Sequence, residues 1–288
     1  MNSSIALHCA DLRCELSPAL GGCVAGLWWG TQQVLRSTPA AALQSAPSAG
    51  SYPLLPYSNR IGYCKLHWDG QDYLLAPNFA PEPHSIHGVG WERAWSVAEA
   101  DAHHAVLRYA HPGDASWPFA FDSQQTFTLK PTALELQLSI TNRAAHAAPV
   151  GLGWHPYFAK SADTRIQFEA SGRWEMGADK LPTQRLAHPG LDSDCRTLDV
   201  DHCFEGWNGR LQLVEAGLRV QLSSDLDCLV VYTTPERDSI AIEPVSHVNN
   251  ALALARQTGQ SPQALGLRVL QPGETFTASM RIHMEPTV

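Results

Sequence analysis

An all-β sandwich is the fold this sequence predicts, on three observations: period-two alternation in several segments, turn residues between them, and a near absence of helical tracts. Alternation is cleanest in Leu134-Glu-Leu-Gln-Leu-Ser-Ile-Thr141, where Leu134, Leu136, Leu138 and Ile140 face one way and polar residues the other. This is the pattern of a half-buried antiparallel strand. Gln125-Thr-Phe-Thr-Leu129, Arg210-Leu-Gln-Leu-Val214, Leu218-Arg-Val-Gln-Leu222, Cys228-Leu-Val-Val-Tyr232 and Thr275-Phe-Thr-Ala-Ser-Met-Arg-Ile282 are similar runs. Turns such as Glu215-Ala-Gly217 and Gln271-Pro-Gly-Glu274 separate or precede several of them. The 20 prolines and 21 glycines are spread along the chain, and only short tracts such as Asn250-Ala-Leu-Ala-Leu-Ala-Arg256 resemble a helix.

The 288 residues suffice for one large β domain or two smaller ones, since sandwiches and barrels often run to this length undivided. The Ala/Ser/Pro-rich stretch from Ser37 to Ser51 has the composition of a linker. Too little chain precedes it to form a domain, so it is expected to be a surface excursion from a single domain spanning 1–288.

Composition narrows the function. A net charge of −8 with only four lysines (Lys65, Lys130, Lys160, Lys180) argues against a nucleic-acid backbone or an anionic lipid surface as partner. The seven cysteines are odd in number and scattered, without Cys-x-x-Cys or zinc-ribbon spacing, and read as reduced thiols of a cytoplasmic protein. The N-terminal segment Met1-Asn-Ser-Ser-Ile-Ala-Leu-His8 lacks a basic start followed by an apolar run, and no stretch approaches a membrane span in length. The expected partner is a small molecule, and the expected assembly a monomer or homodimer.

Four polar segments exceed what a core requires. In Gly151-Leu-Gly-Trp-His-Pro-Tyr-Phe158, Pro156 holds His155 extended, while Trp154, Tyr157 and Phe158 offer apolar or sugar-stacking surface. Taken alone, a histidine in an aromatic segment is more often a core residue bonded to a carbonyl. Glu243 ends the apolar run Ser239-Ile-Ala-Ile242 and precedes a proline, which places a carboxylate at or near a strand end. Burial there raises its pKa and improves it as a base, whereas the bland alternative is an edge glutamate paired with an arginine. His247 and Asn249 shape the same loop.

In His84-Ser-Ile-His-Gly-Val-Gly-Trp91, Gly88 and Gly90 allow close approach of backbone or ligand beside His87. Two histidines and a carboxylate can make a metal-binding facial triad. His84 and His87 fall on opposite faces of a strand, however, and no His-x-Asp/Glu element is present, so no metal is expected. Arg60, in Pro56-Tyr-Ser-Asn-Arg-Ile-Gly62, can donate to sugar hydroxyls or instead form an ion pair. Asp201, in Leu198-Asp-Val-Asp-His-Cys-Phe204, can accept from hydroxyls, although such an aspartate is more often a turn or surface residue. Of nine tryptophans, Trp91 is the one expected near a sugar.

Taken in order, Asn59-Arg-Ile with Leu66-His-Trp-Asp-Gly-Gln-Asp-Tyr-Leu-Leu75, then His87-Gly88, Gly153-Trp-His-Pro-Tyr-Phe158, Asp201-His-Cys-Phe204 and Ile242-Glu-Pro244 resemble the aldose 1-epimerase (galactose mutarotase) family. The likeness spans nearly the whole chain and is greatest to the compact bacterial branch. It implies a large antiparallel β-sandwich with the site on the concave face of one sheet. It further implies Glu243 as catalytic base, His155 as acid, and Arg60, His87 and Asp201 as binding and orienting groups, with no cofactor. Asn249-Asn250 departs from the family's Asp-Ala at that point.

The implied chemistry also stands on the residues themselves. A hemiacetal ring opens when a base takes the anomeric hydroxyl proton while an acid protonates the ring oxygen, and no metal or nucleotide is needed. The rivals are a non-catalytic carbohydrate-binding sandwich, a metal-dependent β-sandwich oxygenase and a sugar-phosphate 1-epimerase. Before Arg60 only Arg13 and Arg36 occur and no lysine, so a phosphate clamp is not apparent, and a free aldose such as galactose, glucose or L-arabinose is the expected substrate.

Overall fold

The computed structural model describes residues 4–215 and 217–287. The first three residues of the N-terminal segment and Ala216, the centre of the predicted Glu215-Ala-Gly217 turn, lie outside the described residues. The architecture is a large antiparallel β-sandwich, as the alternation predicts.

One layer has nine strands in the order Ser96–Ala100, His104–His111, Phe121–Lys130, Ala133–Asn142, Thr275–Pro286, Leu218–Ser224, Arg210–Glu215, Arg165–Glu169 and Gly190–Asp194. The other runs Pro182–Ala187, Gly172–Met176, Val200–Glu205, Cys228–Thr233, Ser239–Val245, Gly153–Trp154 and Pro53–Leu54, with Tyr157–Ala159 pairing on Ser239–Val245. A four-stranded sheet from Ile5 to Gln33 adjoins them. Each segment expected from period-two alternation lies within one of these strands, and Leu134, Leu136, Leu138 and Ile140 are all buried. The one α-helix among the described residues, Ala251–Thr258, covers the tract that resembled one.

Alternation along the second sheet assigns its two faces. Ile240 and Ile242 of Ser239–Val245, Leu229 and Val231 of Cys228–Thr233, and Phe204 of Val200–Glu205 belong to the main core between the layers. Their neighbours Val245, Cys228, Val230 and Cys203 belong to a second cluster on the opposite face. All seven residues of Ser239–Val245 are buried, so this strand is covered on both faces. Ile240 and Ile242 face the sandwich core, and Ala241, Glu243 and Val245 point to the opposite face, where the second cluster packs.

The Ser37–Ser51 stretch is not a simple surface excursion. Leu43, Ala46 and Ala49 are buried in the second cluster with Trp91 and Trp174, because the outer face of the second sheet needs an apolar cover that sheet pairing alone does not supply. Arg36 ties the stretch down by donating to the carbonyls of Pro47 and, at 2.7 Å, Ala49.

Candidate active site

Strand register places the functional side chains. Val230 pairs with Glu243 and Cys203 with Val230, so Trp174, Cys203, Val230 and Glu243 form one cross-strand row. The next row on the same face is Asp201, Tyr232, Ala241 and Tyr157. Asp201 therefore lies on the same sheet face as Glu243, two strands away.

His155 enters this face from the short connection between Gly153–Trp154 and Tyr157–Ala159. Its backbone N–H donates to Tyr52 O at 2.9 Å, and the carbonyl of Pro156 accepts from Ile242 N at 3.1 Å. The flanking glycines explain the Gly-Leu-Gly motif. A Cβ on Gly153 would meet Pro244 O at 2.7 Å, and one on Gly151 would meet the His247 ring at 2.1 Å. The His155 ring packs 4.7 Å from Tyr52 and 4.5 Å from Tyr157, centroid to centroid. Its Nε2 lies 3.1 Å from Glu243 Oε1, and His155 Nδ1 and Glu243 Oε2 are buried without a partner among the described residues.

Burial disfavours the charged form of both partners. Burial raises the Glu243 carboxyl well above the usual carboxylate range, with Asp201 adding to the rise and Arg60 opposing it. Burial likewise pushes His155 down to about 3, a backbone hydrogen bond opposes this, and the charges of Arg36 and Arg237 add to it. A protonated carboxyl beside a neutral imidazole and a carboxylate beside an imidazolium hold the same number of protons. They differ by one transfer across the 3.1 Å contact.

The Asn59-Arg60 and His87-Gly88 motifs form one unit. Asn59 N–H donates to His87 Nδ1 at 3.0 Å, and His87 N–H returns a bond to Asn59 O at 2.8 Å. His87 sits 5.2 Å from His155, ring to ring. Gly88 has φ +69°, and a Cβ there would come within 2.1 Å of Leu55 O. We expect Gly88→Ala to cost about 2 kcal/mol or more, read as a lower denaturant midpoint, because it meets both a positive φ and a fixed carbonyl.

His84 is a structural residue. Its Nδ1 accepts from Tyr63 N at 2.9 Å and its Nε2 donates to Asp179 O at 2.9 Å. Arg60 forks onto Glu82, 3.3 Å from Nε to Oε2 and from Nη2 to Oε1, and Lys180 meets the same carboxylate at 2.6 Å. Burial alone would push Glu82 up, but its hydrogen bonds from Arg60 and Lys180 bring it down to about 2. Arg60 thus makes the ion pair weighed as its bland alternative, while its charge still acts on Glu243.

Ligand atoms of His87, His155 and Glu243 all lie within 4.8 Å of one another, the spacing of a two-histidine, one-carboxylate metal set. Hydrogen bonding argues against that use. His87 Nδ1 already accepts Asn59 N–H, so the proton of the neutral ring is on Nε2, which presents a donor and no lone pair. A donor suits a sugar oxygen and does not suit a cation.

Trp91 is buried in the second cluster, donates its Nε1 to Ile86 O at 3.2 Å and packs against Tyr52, 5.9 Å between ring centroids. Trp174 stands on the site face, its Nε1 bonded to Glu205 Oε2 at 2.8 Å. Alternation within Gly172–Met176 is the signal that could have found it. His247 pins the Pro56–Asn59 loop by accepting from Ser58 N at 3.0 Å and donating to Val248 O at 2.8 Å. Asn249 is buried without a side-chain partner among the described residues, and Asn250 Oδ1 accepts from Gly62 N at 3.1 Å. Tyr52 and Glu82 carry no sequence signal, because only the fold brings them to His155 and Arg60.

An antiparallel sheet bearing a buried His–Glu pair is backed by a second, nine-stranded sheet, and comparison with known proteins assigns this sandwich to the galactose mutarotase-like folds. The aldose 1-epimerase family profile matches residues 14–283. The chain belongs to the aldose 1-epimerase family. It is 30% identical over 282 residues to the uncharacterized protein YphB of Escherichia coli K12, covering 92% of this chain and 93% of the relative. A crystal structure of an E. coli K12 protein, described provisionally as an aldose 1-epimerase, superposes with TM-score 0.89 at 27% identity over 99% of each chain. A galactose mutarotase-like protein from Clostridium acetobutylicum shares the fold, with TM-score 0.83 and 17% identity over 98% of this chain and 95% of that one. No described helix is long and apolar enough to cross a membrane.

Proposed function

We propose that this chain interconverts the α and β anomers of an aldose by acid/base opening and reclosure of the hemiacetal ring. Glu243 is the base for the anomeric hydroxyl, and His155 is the acid for the ring oxygen. His87 Nε2, Arg60 and Asp201 hold the sugar's other oxygens. The observation that carries this reading is the buried contact of 3.1 Å between His155 Nε2 and Glu243 Oε1. A binding module has no need of a desolvated pair whose single proton can sit on either partner. With the sugar between them, Glu243 takes the hydroxyl proton while His155 gives one to the ring oxygen. The aldehyde turns about C1–C2, and the two groups exchange roles on closure.

The test is polarimetry on freshly dissolved α-D-galactose, α-D-glucose, L-arabinose and D-xylose, with glucose 6-phosphate as a charged control. Acceleration of at least one sugar is expected, whereas binding without acceleration overturns the reading in favour of a carbohydrate-binding protein.

The shared proton also sets a pH dependence. As pH rises through the raised pKa of the pair, the proton is lost and no acid remains. As pH falls toward about 3, His155 is protonated on top of a protonated Glu243 and no base remains. The catalysed rate, after subtraction of spontaneous mutarotation, is therefore expected to be bell-shaped. A flat profile from about pH 4 to pH 10 contradicts a shared-proton pair.

A further inference from the structure

The Ser37–Ser51 stretch ends against the residues of the site. Gly50 O accepts from Tyr157 N at 2.8 Å, Tyr52 O accepts from His155 N at 2.9 Å, and Arg36, just before the stretch, donates its N–H to Tyr157 O at 2.8 Å. Both ends of the stretch are thus fastened to the segment His155-Pro156-Tyr157. Each end also delivers a side chain. The Arg36 guanidinium stacks on Tyr157, 3.7 Å from the ring centroid, and Tyr52 stacks on His155 at 4.7 Å with 29° between the ring planes. Tyr157 lies against the same imidazole at 4.5 Å and 33°, and His87 meets it edge-on at 5.2 Å and 83°. Tyr52 is itself only 5% exposed and packs on Trp91, 5.9 Å away.

Hydrogen bonding does not explain how the imidazole is held. A histidine that moves protons through one ring nitrogen is ordinarily oriented by a hydrogen bond at the other. His155 Nε2 faces Glu243, whereas Nδ1 is buried with no partner among the described residues. No carbonyl or carboxylate of another described residue anchors Nδ1, so turning of the ring about Cβ–Cγ is opposed by what packs on it. The contact with Glu243 does not substitute, because it opens when a sugar enters between the two groups. A ring stacked on the imidazole face is what a turning imidazole strikes first, and Tyr52 is that ring.

Resting on the reading of His155 as the acid of ring opening, we infer that Tyr52 is the positioning residue of that acid and that the Ser37–Ser51 stretch braces it against the imidazole. A brace needs a fixed backbone and a fixed ring, and the stretch supplies both. Its end is paired to Tyr157, and its Leu43, Ala46 and Ala49 share one buried cluster with Tyr52. The contact is made by the phenol ring, so the ring and not the hydroxyl carries the effect.

The experiment compares the wild type, Tyr52→Phe and Tyr52→Leu by saturation kinetics in the polarimetric assay, on a free sugar that the wild type turns over. Tyr52→Leu should lose about ten- to a hundredfold in kcat with KM nearly unchanged, the scale of a misplaced catalytic group. Tyr52→Phe, which keeps the ring, should recover most of that loss. Wild-type kcat in Tyr52→Leu, a loss confined to KM, or a Tyr52→Phe protein as impaired as Tyr52→Leu overturns the inference. Tyr52→Met, which refills the gap with a flexible chain, is read in the same way where Tyr52→Leu does not fold. Nitrogen NMR of protein labelled at its histidines, with His155→Asn identifying the His155 signals, gives a readout without turnover. The wild type and Tyr52→Phe should show one ring orientation and one tautomer for His155, and Tyr52→Leu doubled or averaged signals. Identical His155 signals in wild type and Tyr52→Leu overturn the inference. If the wild type epimerises no sugar, the ring-opening reading fails, and the NMR comparison alone decides whether Tyr52 fixes the imidazole.

Discussion

Replacing Glu243 by Gln is expected to lower catalysed mutarotation about 10²- to 10⁴-fold while leaving the fold intact. Glutamine is nearly isosteric and can still hydrogen-bond His155, so the buried contact is kept and only the proton is lost. A variant that kept wild-type turnover on a fresh α-sugar would remove Glu243 from the mechanism. His155→Asn should fall into the same range. The double variant should lose far less than the product of the two single losses, because acid and base act as a unit on one proton. Full multiplicativity would instead mean that each group acts on its own step.

Trp154→Ala is expected to be the most damaging change to the fold, at about 3–5 kcal/mol. Trp154 is fully buried in the main core and donates its Nε1 to Gln125 Oε1 at 3.2 Å, while Gln125 Nε2 donates to Gly22 O at 2.9 Å. Its removal opens a large cavity and strands a buried amide oxygen, two costs that add. The denaturant midpoint should drop with little change in slope. A loss below about 1 kcal/mol would show that the core next to His155 collapses around the gap and does not fix the histidine by packing.

Much of this molecule is legible in its sequence because the signals are local. Alternation in Leu134–Thr141 names a strand with one buried face, and the same parity in Ser239–Val245 already separates Ile240 and Ile242 from Glu243. Motif order brought His155, Glu243, Arg60, His87 and Asp201 onto one list, and the structure puts them on or beside one sheet face. What the sequence hides is pairing between distant segments. Glu82 joins Arg60, and Tyr52 flanks His155, only through long-range register.

Anomeric exchange at equilibrium tests the proposed proton transfer by His155 and Glu243 without any net reaction. Magnetisation transfer between the α and β H1 resonances of an equilibrated aldose should give an exchange rate that rises linearly with protein concentration. The corresponding methyl glycoside, which cannot open its ring, should show none. Sugar resonances that broaden or shift on binding while the α–β exchange rate stays at its protein-free value would contradict ring opening by this pair.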